Sequence, residues 1–223
     1  MRSFRHIVLA LAASAAVGLS PSAATAQQPA ATWQNAWFWG AYAGSTSFAT
    51  SIARTNALTM GIDWMITREH FALNIFAQQA YFNAVSTVQD SGSMALRRVD
   101  IQDMRSLGFA AMIFTPELYR VKPYFNVGYA FNFINSGTPE GGGFTSPAAQ
   151  DTVLSRINNA RAMGKMFGSF GLMTVQGRFA PFIQYTMMPT QGSGAWLVNG
   201  SGTTNTWTVG LRYNFGTSVS KKW

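Results

Sequence analysis

Residues 206–215 alternate without a break: Trp207, Val209, Leu211, Tyr213 and Phe215 fall on one side, and Thr206, Thr208, Gly210, Arg212 and Asn214 on the other. A two-residue repeat of this length belongs to a β-strand and excludes a helix. The pattern recurs. Residues 124–133 set Phe125, Val127, Tyr129, Phe131 and Phe133 against Tyr124, Asn126, Gly128, Ala130 and Asn132. Residues 57–67 set Leu58, Met60, Ile62, Trp64 and Ile66 against Thr59, Gly61, Asp63, Met65 and Thr67. Fainter versions at residues 35–46, 71–82, 100–114, 163–175 and 179–188 bring the expected strands to eight.

The connections between these segments alternate in length. Residues 47–56, 83–99, 134–162 and 189–205 are long connections, whereas 68–70, 115–123 and 176–178 are short. Long loops therefore gather at one end of the structure and short turns at the other, and an even strand number leaves both chain ends with the short turns. The longest loop holds the flexible stretch TPEGGG, residues 138–143, and then a segment, residues 147–161, that suits a short helix. With neither an internal repeat nor a domain linker, one folded unit is expected.

Alternation alone does not say which face is inside, because a soluble lipocalin-like barrel alternates as well. Residue types decide. Charged residues are 11% of the chain, against roughly a quarter in soluble domains, and aromatics reach 14%. The less apolar face carries Gly, Ala, Ser, Thr and Asn with the isolated charges Asp63 and Arg212, where a solvated exterior would be rich in Lys and Glu. Small polar residues suit a narrow interior, which Phe167 and Phe182 narrow further. The bulky face carries Trp37, Trp39, Trp64, Tyr129, Trp207 and Tyr213, as interfacial aromatic girdles require. The fold class expected is all-β: an eight-stranded antiparallel up-and-down transmembrane β-barrel.

Arg2 and Arg5 precede an apolar run over residues 7–19 and the small-x-small site Ala24-Thr25-Ala26. This is the anatomy of a cleaved signal peptide, and the run is too short to span a bilayer as a helix. The expected division is a signal peptide at 1–26, a periplasmic lead-in at 27–34, the barrel at 35–215 and a periplasmic tail at 216–223. Losing Arg2 and Arg5 lowers the net charge from +8 to about +6. Those charges are dispersed rather than gathered in a stripe, so nucleic acid is not an expected partner. Cysteine is absent, which excludes disulfides, thiolate metal sites and CxxC redox chemistry.

Residues 207–215 (WTVGLRYNF), 121–129 (VKPYFNVGY) and 179–185 (FAPFIQY) resemble strands of the small outer-membrane β-barrel proteins, a group that includes OmpA/OmpX-type domains and opacity-like surface antigens. The resemblance spans roughly residues 35–215. It implies outer-membrane localisation, a lipid and lipopolysaccharide environment, a monomer, and recognition of the closing strand by the barrel-assembly machinery through Trp207, Val209, Leu211, Tyr213 and Phe215. In that group the final Phe usually ends the chain. Here residues 216–223 follow, so Phe215 and Trp223 compete as the terminal signal, and the tail-like composition of 216–223 favours Phe215.

Catalytic chemistry finds little footing. The lipid A deacylases and palmitoyltransferases of similar fold use a His with Ser and an acid at the outer leaflet. Behind the leader the only histidine is His70, in a short turn at the opposite end. No metal or cofactor motif occurs, and neither is expected. Asp63 and Arg212 sit mid-strand on the inward face, each neutralised by the other or solvated by lumen water. Arg97, Arg98, Arg156 and Arg161 collect at the long-loop end, where they are ordinary solvated loop charges or contacts to lipopolysaccharide phosphates. The expected function is a non-enzymatic surface protein displaying loops for envelope integrity, adhesion or surface contact. The alternative is a small channel for small or hydrophobic solutes.

Overall fold

The computed structural model describes residues 33–90, 92–116, 118, 120–140, 144–189, 197–198 and 203–217. The signal segment 1–26, most of the lead-in, and the tail from residue 218 to Trp223 lie outside the described residues. The described residues form eight strands: β1 (Ala36–Ala49), β2 (Arg54–Arg68), β3 (Phe71–Gln89), β4 (Leu96–Phe114), β5 (Val121–Pro139), β6 (Ala162–Thr174), β7 (Phe179–Pro189) and β8 (Thr203–Thr217). Each pairs antiparallel with the next, and β8 pairs with β1 to close the barrel. Closure leaves no unpaired edge, which a sheet in hydrocarbon requires. The pairing Ala36↔Thr217 sets the first and last strands side by side at the short-turn end.

Register fixes the geometry. From Ala43, successive partners run Met60, Gln79, Arg105, Phe133 and Ala162 in one direction. In the other they run Val209, Ile183 and Leu172. The two walks meet β6 ten residues apart, at Ala162 and Leu172. That stagger over eight strands tilts them by about 40° from the barrel axis, and each residue advances roughly 2.5 Å along it.

Along the lower barrel the bulky side chains face out. Trp39, Ile62, Leu107, Val127 and Val209 are exposed, while Thr59, Asp63, Thr208 and Arg212 are buried. An apolar band on this scale is solvated by lipid rather than water. Part of the polar lining is internally bonded: the Thr46 hydroxyl lies 2.6 Å from that of Thr59 and 2.9 Å from that of Thr206, and Ser106 donates to Asn132 at 2.7 Å.

Toward the long-loop end the polarity inverts. Ala84, Val99, Ile101 and Ile134 are buried inside, and Asn83, Arg98 and Gln102 face out. The change falls at an irregularity in the β3–β4 pairing between Ala80 and Asn83. Opposite it Asp103 has φ 47°, and its carboxylate accepts from the Phe82 N–H at 3.2 Å.

This inversion corrects the expected boundaries. Residues assigned from sequence to loops 47–56 and 83–99, and much of 134–139, continue the strands, so the first connection shrinks to residues 50–53 and the second to 90–95. Above the lipid an apolar outer face has no use, and the bulky-out repeat that marks a strand disappears although the strand continues. The expected helix does form, as α1 (Pro147–Ala160). Ser146 caps it by accepting from the Ala149 N–H at 3.2 Å, with Pro147 in the first turn where its missing N–H costs nothing.

Candidate functional site

Three places could do chemistry or bind: the lumen, the long-loop end, and the outer wall. An apolar cluster lies at each end of the lumen. At the long-loop end, Val153, Ile157 and Ala160 of α1 pack with Leu197 and Val198 onto Phe48, Val99, Ile101 and Ile134. At the short-turn end, Trp33 meets Phe114 edge-on at 4.2 Å, within a cluster holding Phe38, Met65, Met112, Tyr124 and Phe182. Trp33 was grouped by sequence with the polar lead-in. Its carbonyl instead accepts from the Thr67 hydroxyl at 2.7 Å, which draws it under the barrel.

Between the clusters a cavity of about 50 Å³ remains, lined among others by Tyr42, Asp63, Asn74, Gln184 and Arg212. It has room for a few waters. Phe76 and Phe167 meet edge-on at 5.5 Å across the middle.

Asp63 and Arg212 come together inside it. Arg212 Nε and Nη2 donate to Asp63 Oδ2 at 2.8 and 2.6 Å, and Asn74 donates to the same oxygen at 3.1 Å. The guanidinium also lies 3.9 Å over the Phe182 ring. Both residues pair with Gly40 of β1, one from β2 and one from β8. A Cβ at residue 40 would overlap Asp63 Oδ1 and approach Arg212 Cγ to 2.8 Å. The missing side chain of Gly40 is the gap through which the two charges meet.

The loop arginines are tied into the long-loop end. Arg97 Nε donates to Asp90 at 2.6 Å, with its guanidinium 4.0 Å from the Phe144 ring. Arg98 pairs with Glu140 at 3.7 Å, and Arg156 donates to the Gln89 carbonyl at 2.9 Å. Arg161 donates to the carbonyls of Ile134 and Asn135. The Gly92 N–H and the Arg97 guanidinium hold the Asp90 carboxyl down at about 2, below its ordinary 3.8. A lowered carboxyl value contributes stability that is full above 3.8 and lost as pH falls through about 2. Limited pepsin digestion between pH 4 and pH 2 is therefore expected to open cleavage around residues 90–97 as the pH drops. In Asp90→Asn those cuts should already occur at pH 4; an unchanged pattern would show that the pair does not hold this turn.

His70 sits exposed in the turn between β2 and β3, at the short-turn end. Among the described residues no group of three or more His, Asp or Glu could hold a metal. Trp207, Val209, Leu211 and Phe215 face outward on β8, with Tyr213 half-exposed and 5.0 Å from the Phe215 ring. One outward charge escaped the sequence reading. Arg105 shares the outer face of β4 with Leu107 and Phe109, a placement its parity with those two residues already contained.

No protein-family model matches the chain, and no curated protein matches it in sequence. Among solved structures, Neisserial surface protein A aligns with a TM-score of 0.54 at 14% identity, over 80% of this chain and 97% of that one. The Pseudomonas aeruginosa outer-membrane protein OprG aligns at 0.49 and 11% identity, over 82% and 98%. Closed eight-stranded topology, a lipid-facing apolar wall and the likeness to Neisserial surface protein A together give this chain the fold of the small outer-membrane β-barrels.

Proposed function

We propose that the protein is a non-enzymatic surface protein of the bacterial outer membrane, a sealed barrel that holds a packed cap outside the lipid. The observation that supports this best is the pair of apolar clusters, one built around α1 and the other around Trp33, at opposite ends of a lumen that retains about 50 Å³. A barrel so filled serves as a support, and its presented surface is the cap, with Arg98 and Arg156 available to lipopolysaccharide phosphates. The role fitted to such a surface is envelope integrity, adhesion or surface contact.

Topology is directly testable, because the chain has no cysteine of its own. Ser93→Cys, in the turn between β3 and β4, is expected to react with a membrane-impermeant maleimide on intact cells. Glu69→Cys, in the turn between β2 and β3, should react only after lysis. The protein should fractionate with outer membranes and migrate faster unheated than boiled. The reverse labelling pattern, or release by salt without detergent, would overturn the reading.

Transport is tested separately. In planar bilayers the purified protein is expected to give no stable porin-sized conductance, and deletion of residues 147–160 should not create one, because the Trp33 cluster still closes the other end. Long-lived steps from the wild type would promote the small-channel reading instead.

A further inference from the structure

The outer wall of the barrel carries an open groove of about 870 Å³ whose top abuts the packed cap at Ile134 and Asn158. Its lower part is apolar, lined by Met60, Ile62, Ala77 and Leu107. Its upper part is polar, lined by Gln79, Arg105, Asn135 and Arg161. The register explains the hollow. Ala77 lies between Ile62 and Leu107 in one row of partners, so a methyl group sits where both neighbours are large. One row up, Gln79 and Arg105 lie side by side.

Arg105 is exposed and, among the described residues, has no hydrogen bond or ion pair. No Asp or Glu lines the groove. Asp103, two residues along β4, has its carboxylate on the Phe82 N–H. Arg161 adds a second cation at the top, fixed by its bonds to the Ile134 and Asn135 carbonyls.

Depth supplies the rest of the argument. Arg68 ends β2 at the short-turn end. Following the pairing and the tilt, Arg105 lies roughly 25 Å further along the barrel axis, which is the height of the apolar band in barrels of this kind. The polar half of the groove thus stands at one membrane boundary and the apolar half runs down into the hydrocarbon. That boundary is on the side of α1 and the long loops.

We propose that this groove binds one lipid A moiety of lipopolysaccharide, with a phosphate on Arg105 and an acyl chain along Met60, Ala77 and Leu107. An arginine facing the membrane without a partner calls for an anion, and a hollow of this polarity fits an amphiphile whose charged head lies at the outer boundary. The proposal rests on the outer-membrane orientation given above. Cysteine labelling in cells tests that orientation, whereas lipid retention by the purified protein tests the groove, so the two fail separately.

The experiment is native mass spectrometry of the purified protein in detergent, titrated with bis-phosphorylated lipid A, phosphatidylglycerol or phosphatidylcholine. The wild type is expected to retain one lipid A. Arg105→Gln should lower that retention about tenfold, the worth of one charge-assisted hydrogen bond. Ala77→Phe fills the hollow while keeping the charge, and should lower it comparably. Arg178→Gln, in the turn between β6 and β7, serves as the unaffected control, and heat-dependent gel migration confirms that each variant is folded. Equal retention by wild type and Arg105→Gln would overturn the proposal, as would phosphatidylcholine held as well as lipid A. Preference for phosphatidylglycerol would overturn the assignment to lipid A.

Discussion

Asp63→Asn is expected to destabilise the barrel by about 3–5 kcal/mol, because it strands the Arg212 guanidinium in the interior without its counter-charge. Arg212 is 1% exposed and cannot shed its proton, so the cost is not relieved by neutralisation. The reciprocal variant, Arg212→Met, should cost less, since the smaller Asp63 carboxylate keeps its bond from Asn74 and adjoins the lumen cavity. In the double variant Asp63→Asn/Arg212→Met no buried charge is left, and much of the single-variant loss should return. Reversible urea titrations of protein refolded into lipid vesicles would measure all three. If Asp63→Asn cost less than 1 kcal/mol, the pair would be solvated by lumen water rather than mutually neutralised, and the bonds at 2.6 and 2.8 Å would carry little of the fold's stability.

Val209→Arg comes next in size, at about 2–4 kcal/mol, because its level lies close to midway between those of Arg68 and Arg105 and the charge would enter the centre of the hydrocarbon. Val209 is 58% exposed on the outer wall, so neither overpacking nor a lost core contact contributes. The matched substitution is Val85→Arg. Val85 shares the outward parity of β3 but lies beyond the irregularity between Ala80 and Asn83, where the outer face meets water. It should change stability by no more than about 0.5 kcal/mol. Equal costs at both positions, measured in the same vesicle titration, would mean that the lipid boundary is misplaced.

The sequence made the lipid-embedded half of the barrel legible and concealed the half above it. In hydrocarbon the outer face must be bulky and apolar, so Trp207 to Phe215 or Leu58 to Ile66 can be read directly from their alternation. Past the bilayer the requirement reverses. Residues 83–89 place Ala84 and Ser86 inside and Asn83 and Thr87 outside, a pattern with too little contrast to separate from a loop. The helix over 147–160 could be anticipated, but its packing onto Phe48 and Ile101 could not, because those contacts join residues roughly 50 to 110 positions apart only once the barrel has closed. The meeting of Asp63 with Arg212 has the same origin. Both charges were recognisable as inward, and only the β1–β8 register sets them on either side of Gly40. Arg105 was hidden differently: its outward parity was present, but the hollow beside it at Ala77 exists only once β2, β3 and β4 are paired.

The inverted upper half also bears on where foreign peptides could be grafted. Since Val99, Ile101 and Ile134 form a core with α1, an insertion within residues 83–89 or 96–102 would break packing and pairing together. The turn at Ser93 and Met94 is exposed and contributes nothing to that core. Exposed tips of this kind tolerate added chain at little cost. As a display scaffold, the protein would accept an epitope there while the strands beneath hold it clear of the lipid.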